Sequence, residues 1–193
     1  MRETYRTPAL VLTQYPRGEG HLSVCLFTKD LGVLYATAQS ARHGQAKLQS
    51  ALQVFSYTDM SLVRGKGVWR VTGAVLEENF YQTLRGKPRA RLLSARFLHL
   101  LKNIPLPETP TSSDMLWEMI METFSMFINC RDEDVDMVER VSIYRLLALL
   151  GYASREVLPV AFTQASVDEL CLAARKEGQS LVRVINEGIH ATA

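Results

Sequence analysis

The stretch His21-Leu22-Ser23-Val24-Cys25-Leu26-Phe27-Thr28, followed by Lys29-Asp30-Leu31-Gly32 and Val33-Leu34-Tyr35-Ala36-Thr37-Ala38, decides the fold. Side chains alternate across a strand, so Leu22, Val24 and Leu26 share one face and His21, Ser23, Cys25 and Phe27 the other. Beyond the connection, Val33, Tyr35 and Thr37 stand opposite Leu34, Ala36 and Ala38. Gly32 supplies the positive φ that a tight hairpin needs. Working outward, residues 7–13 read as a preceding strand, closed by Tyr15-Pro16-Arg17-Gly18. After a loop over residues 41–49 come strands at 52–63 and 68–76, joined by the turn Arg64-Gly65-Lys66-Gly67. Five short strands joined by glycine turns predict a small antiparallel barrel or sandwich. The longer connection before the fourth strand, where residues 46–52 can form a turn or two of helix, points to an OB-type barrel.

The period then becomes helical. Leu93, Phe97, Leu100 and Leu101 fall on one stripe of residues 88–103, and Pro88 suits a first helical turn. Pro105-Leu106-Pro107-Glu108-Thr109-Pro110 breaks that helix. Further helices are expected over 114–130 and 132–150, the latter ended by Gly151. A capping box, Ser166-Val167-Asp168-Glu169, opens another that closes near Gly178, and 179–189 forms the last. The reading is α+β: a five-stranded OB-type β-barrel over residues 1–80, followed by a helical bundle over 81–193.

Charge is unevenly spread. Residues 1–104 hold 15 Lys+Arg against 6 Asp+Glu, and residues 105–193 hold 7 against 14, within a chain of net charge +2. That division suggests a polyanion on the basic β part and a different partner on the acidic helical part. No apolar run can span a bilayer, and no hydrophobic signal segment follows Met1, so a cytoplasmic location is expected.

Motifs for chemistry are missing. Cys25, Cys130 and Cys171 are scattered, with no CxxC pair for a zinc ribbon or a redox site. The run Asp132-Glu133-Asp134-Val135-Asp136 fails as a calcium loop, because Met137 and Ile143 occupy the places that require Gly and Glu. His21, His43, His99 and His190 show no metal-ligand spacing. No GxSxG, Walker or dinucleotide fingerprint occurs. No catalytic residue, metal or cofactor is expected, and the protein reads as a non-enzyme.

The basic residues carry the functional signal. Arg42 and Lys47 lie in the long loop, Arg64 and Lys66 at the hairpin tip, and Arg70 just after it. Arg85, Lys87, Arg89, Arg91 and Arg96 follow, with no acid between Asn79 and Asn103. Phosphate binding needs such cations, because each releases condensed counterions. The expected DNA-binding set is Arg42, Lys47, Arg64, Lys66, Arg70, Arg89, Arg91 and Arg96. Tyr35, Tyr57 and Trp69 are either base-stacking platforms or core residues, with the alternation allowing both.

Several segments, in order, resemble the RecO family of bacterial recombination mediators: Tyr5-Arg6-Thr7-Pro8-Ala9-Leu10-Val11-Leu12, Leu26-Phe27-Thr28-Lys29-Asp30-Leu31-Gly32 and Ala38-Gln39-Ser40-Ala41-Arg42. Lys47-Leu48-Gln49-Ser50-Ala51-Leu52-Gln53-Val54-Phe55, Arg64-Gly65-Lys66-Gly67 and Tyr144-Arg145-Leu146-Leu147-Ala148-Leu149-Leu150-Gly151-Tyr152 continue the likeness. The resemblance implies an OB-fold domain, then helices, in a bacterial, nucleoid-associated protein of DNA repair and recombination. It implies binding of single- and double-stranded DNA, annealing of complementary strands, and help in loading recombinase onto strands coated by single-stranded-DNA-binding protein. RecR and the C-terminal tail of that coating protein are the implied partners. The sequence departs from the family at Val54, where Pro is common, and over 153–163, where many members carry a four-cysteine zinc module. A protein-interaction scaffold that keeps the fold and has lost DNA binding is the alternative reading.

Overall fold

A computed structural model describes residues 3–18, 20–39, 46–65, 67–106, 110–163 and 165–192. The chain forms two compact units: residues 1–83 with 108–114, and residues 84–107 with 115–193.

The first unit is a barrel of β1 (Thr4–Arg17), β2 (His21–Thr28), β3 (Gly32–Ala38), β4 (Ser56–Arg64) and β5 (Trp69–Asn79), with α1 (Ala46–Ala51) between β3 and β4. The sheet closes in the order β1-β2-β3-β5-β4, and β4 returns to β1. This is the OB order. All pairings are antiparallel except β3 with β5, where Ala36, Thr37 and Ala38 face Trp69, Arg70 and Val71. The hairpin read from the sequence holds: Leu22, Val24, Leu26, Leu34, Ala36 and Ala38 all point into the core, beside Ala9, Val11, Met60, Leu62 and Val71. α1 closes the barrel interior, because Leu52 at its end is fully buried and Leu48 packs alongside.

Several strand limits differ from the sequence reading: β1 also begins earlier, at Thr4, and β5 runs on to Asn79. The fourth strand begins at Ser56, not at residue 52. Leu52 N–H still donates to Leu48 O at 3.1 Å, and Phe55 turns the chain with φ 73° while its N–H donates to Val11 O. Leu52, Val54 and Phe55 mimic a strand in composition, yet the segment serves as the helix end and the plug. The first strand runs on to Arg17 and does not stop before Tyr15-Pro16. Its distal half pairs only with β2, since β4 covers residues 4–10. Pro16, which has no N–H to give, is tolerated in such a half-open strand. The turn itself falls at Gly18 and Gly20, both at positive φ.

The second unit contains α3 (Pro88–Asn103), most of α4 (Pro110–Asn129), α5 (Val135–Leu149) and α6 (Val167–Ala191); the short α2 (Phe80–Thr83) ends the first. α5 is buried nearly all round, through Val135, Val138, Val141, Tyr144, Leu146 and Leu147, as befits a central helix. It packs on α3 and α6. Arg145 donates to Glu122 Oε2 of α4 at 2.5 Å. Lys87 Nζ caps the end of α4, donating to Ile128 O at 2.7 Å and Cys130 O at 2.8 Å, where a cation meets the negative helix terminus. α5 ends in a Schellman motif: Gly151 has φ 84°, its N–H donates to Ala148 O, and Tyr152 N–H donates to Leu147 O. The Ser166–Glu169 capping box opens α6, which kinks at Gly178, where the sequence placed a helix end. The acidic run 132–136 forms a 3-10 turn and the start of α5, with buried Asp134 held by Arg131 at 2.9 Å and Arg175 at 2.6 Å.

Tyr144 fixes the segment after α5. Its fully buried hydroxyl donates to Ser154 O at 2.7 Å and accepts from Leu158 N–H at 3.1 Å. Tyr144→Phe leaves that buried N–H unpaired, so it is expected to destabilise the protein by about 1–3 kcal/mol. Urea unfolding at neutral pH measures this; an unchanged midpoint and slope would remove the hydroxyl from the structural account.

Candidate nucleic-acid interface

The outward face of β1, β2 and β3 is built by alternation. With Leu22 and Val24 inside, His21 and Ser23 point out; with Ala36 and Ala38 inside, Tyr35, Thr37 and Gln39 point out. Register places Arg17 opposite His21 and Tyr15 opposite Ser23. Ser23 in turn faces Thr37, and Thr37 faces Arg70 of β5. Arg17, His21, Thr37, Gln39, Val68 and Arg70 thereby line one shallow cleft of about 230 Å³.

The β4–β5 turn stands beside it. Gly65 N–H donates to Val68 O at 2.9 Å, an approach that leaves no room for a Cβ, which would meet that oxygen at 2.9 Å and Arg70 Nε at 3.9 Å. The Arg64 guanidinium lies over the Trp69 ring, 5.7 Å from its centroid. Trp69 itself packs on the core and meets Tyr5 edge-on at 5.2 Å. Of the three aromatics considered, Trp69 is thus a core residue, Tyr57 is half-buried, and Tyr35 is 63% exposed. Arg17, Arg64 and Arg70 are exposed, and no carboxylate among the described residues lies within ion-pair distance of them.

The expected DNA-binding set divides. Arg64 and Arg70 belong to this face of the barrel. Arg42 and Lys66 lie outside the described residues; Lys47 sits in α1, with its side chain outside them. Arg89, Arg91 and Arg96 lie on α3, in the helical unit. There Arg89 makes a bidentate pair with Asp136, with Nη2 2.7 Å from Oδ1 and Nε 3.1 Å from Oδ2. Arg96 Nε lies 3.2 Å from Glu139 Oε1, close enough for an ion pair but not aligned for a hydrogen bond. Arg91 is half-buried. The acids missing from residues 79–103 are therefore supplied by α5, from more than thirty positions away.

This corrects the charge division read from the sequence. The boundary between units falls after Thr83, so Arg85, Lys87, Arg89, Arg91, Arg96 and Lys102 belong to the helical unit. The barrel unit holds 9 Lys+Arg and 8 Asp+Glu, which leaves 13 and 12 of the 22 and 20 for the helical one. Neither unit is strongly charged; what distinguishes the barrel face is local. Sequence reasoning missed Arg17 and Tyr15 because they were assigned to a turn; His21 was placed on the strand but given no binding role. The signal available was the continuing alternation Thr13, Tyr15, Arg17 on either side of Pro16.

The first 80 residues match the family profile of the recombination protein O N-terminal domain. A DNA repair protein RecO of Acetivibrio thermocellus is 25% identical over 148 residues, 77% of this chain and 57% of that protein. One from Dehalococcoides mccartyi is 34% identical over 76 residues, 39% of this chain and 30% of its own length. One from Alkaliphilus metalliredigens is 26% identical over 132 residues, 68% and 51% of the two chains. These matches make the first 80 residues similar to the N-terminal domain of RecO proteins, and the longer ones carry the likeness into the helical unit. The chain spans between 30% and 57% of the length of these relatives.

Glu139 provides a pH signature for the α3–α5 contact. Burial raises its pKa, and the Arg96 charge only partly offsets this. A carboxyl raised on folding holds its proton in the folded state after the unfolded chain has released it. Its favourable contribution is complete below the ordinary carboxylate value and declines as pH rises through the raised one. Glu139→Gln is expected to flatten the fall in stability with pH across that window. Thermal unfolding on either side of it tests this; parallel pH profiles for the two proteins would contradict it.

Proposed function

We propose that this chain is a RecO-type, non-catalytic DNA-binding protein of repair and recombination, which holds nucleic acid on the outward β1–β2–β3 face of its barrel. OB folds bind oligonucleotides on the face of strands 2 and 3 and on the loops that flank it. The observation that carries the reading is the convergence of Arg17 and Arg70 on one cleft, with Arg64 at the adjoining turn and no acid beside them among the described residues. A cation already neutralised by a carboxylate gains less from a phosphate, so Arg89 and Arg96 rank below these three. Phosphate contacts give affinity without reading sequence, as a protein acting on arbitrary DNA requires.

The likeness to RecO proteins supports the finer reading: annealing of complementary strands and assistance to recombinase on strands coated by single-stranded-DNA-binding protein, with RecR and that protein's tail as partners. No helix among the described residues is long and apolar enough to cross a membrane.

Replacing Arg17 and Arg70 together with Ala is expected to lower the log–log salt slope of DNA binding by about 1–2 units, since each phosphate contact contributes about 0.7–0.9. Replacing Arg89 and Arg96 together should change it less. A folded Arg17→Ala/Arg70→Ala protein with the original slope would refute the barrel-face site. For the finer reading, the protein should accelerate pairing of complementary oligonucleotides at low salt, and no acceleration would argue against annealing.

A further inference from the structure

The same face carries two exposed tyrosines, and their placement bears on which form of DNA it accepts; this step rests on the proposed function. Tyr15 is 52% exposed and Tyr35 63%. Both point away from the core. Tyr35 lies between Leu34 and Ala36, which face inward, and Tyr15 between Gln14 and Pro16, whose register partners Val24 and Leu22 face inward. β2 separates them: Tyr15 stands opposite Ser23, and Tyr35 opposite Cys25, one outward position further along.

Two strand spacings and one two-residue step put their Cα atoms about 12 Å apart. Arg17 follows Tyr15 on the outward side of β1, and Arg70 is in register with Thr37, two positions beyond Tyr35. Aromatic rings therefore alternate with guanidinium groups over a surface that also carries His21, Ser23, Thr37, Gln39 and the exposed Val68.

We infer that Tyr15 and Tyr35 are stacking platforms that make the barrel face select single-stranded over double-stranded nucleic acid. A ring stacks on a base only where the base's flat face is offered. In a duplex those faces are covered by neighbours, and only edges and phosphates reach a protein. In a stacked strand, successive bases rise by about 3.4 Å, far less than the separation of the two rings. Only a strand with splayed bases engages both tyrosines while its phosphates meet Arg17 and Arg70. The arginines set affinity for any strand; the tyrosines discriminate between strand forms. The contact is tolerant of sequence, because every base has a π-face.

The test compares Tyr15→Ala/Tyr35→Ala and Tyr15→Phe/Tyr35→Phe with the parent chain. The probes are a thymidylate oligomer, a duplex of equal length and an abasic deoxyribose-phosphate oligomer. The alanine pair should lose thymidylate affinity by about five- to a hundredfold for each base that stacks, while duplex and abasic affinities stay as they were. The phenylalanine pair, which keeps both rings, should bind thymidylate like the parent and shows that the face itself is intact. The inference is overturned if the alanine pair binds thymidylate as the parent does, if it loses all three probes equally, or if the phenylalanine pair loses as much as the alanine pair. Failure here is distinguishable from failure of the functional reading. A parent chain that binds thymidylate and duplex equally, with a normal salt slope, removes only the tyrosines' role; one with no salt-dependent binding to any probe removes the DNA site.

Discussion

Three residue pairs hold the barrel shut. The β3–β5 contact, Ala36 to Trp69, Thr37 to Arg70 and Ala38 to Val71, is the sole parallel pairing and the shortest in the sheet. Without it β3 and β5 would be free edges, each presenting unpaired backbone groups to water or to another chain. The same pairing puts Arg70 in line with Thr37, Ser23 and Tyr15, and so beside the Arg17 cleft. Closure of the core and assembly of the outer face are therefore one event. Small side chains at Ala36 and Ala38 allow it, because they leave room inside for Leu52, Leu62 and Val71.

Much of this was legible in the sequence. The β2–β3 hairpin was readable because both faces alternate without interruption and Gly32 marks the turn. The helical unit was readable from its punctuation: Pro88 at the start of α3, Gly151 after α5, Ser166 and Glu169 at the start of α6. What was hidden is instructive in physical terms. Pro16 looks like a strand breaker, but a proline is harmless where the strand has a neighbour on one side only. Leu52, Val54 and Phe55 look like strand because they are apolar, yet burial of Leu52 is equally satisfied at the end of a helix. Local pattern reports burial and period; it does not report which partner does the burying.

Electrostatics were the least legible part. A run of arginines without local acids looked like a free cationic track. In the folded chain Asp136 and Glu139 answer Arg89 and Arg96 from another helix, and the charge imbalance between halves of the sequence dissolves within the helical unit. Pairing across helices cannot be counted from linear spacing. Conversely, Arg17 lies more than fifty positions before Arg70, and strand register brings the two to one cleft. The proposed site thus depends on the fold more than on composition.

The three cysteines close the account. All are buried: Cys25 on β2 of the barrel, Cys130 after α4 and Cys171 on α6 of the helical unit. Burial pushes the Cys171 thiol up to about 11 and raises Cys130 as well, so in the native chain neither is a ready nucleophile. Each unit therefore carries a silent sulfur that an alkylating reagent meets only when that unit breathes. Modification at Cys25 times the opening of the barrel, and modification at Cys171 that of the helices, so the chain reports the separate lifetimes of its two halves with no added label.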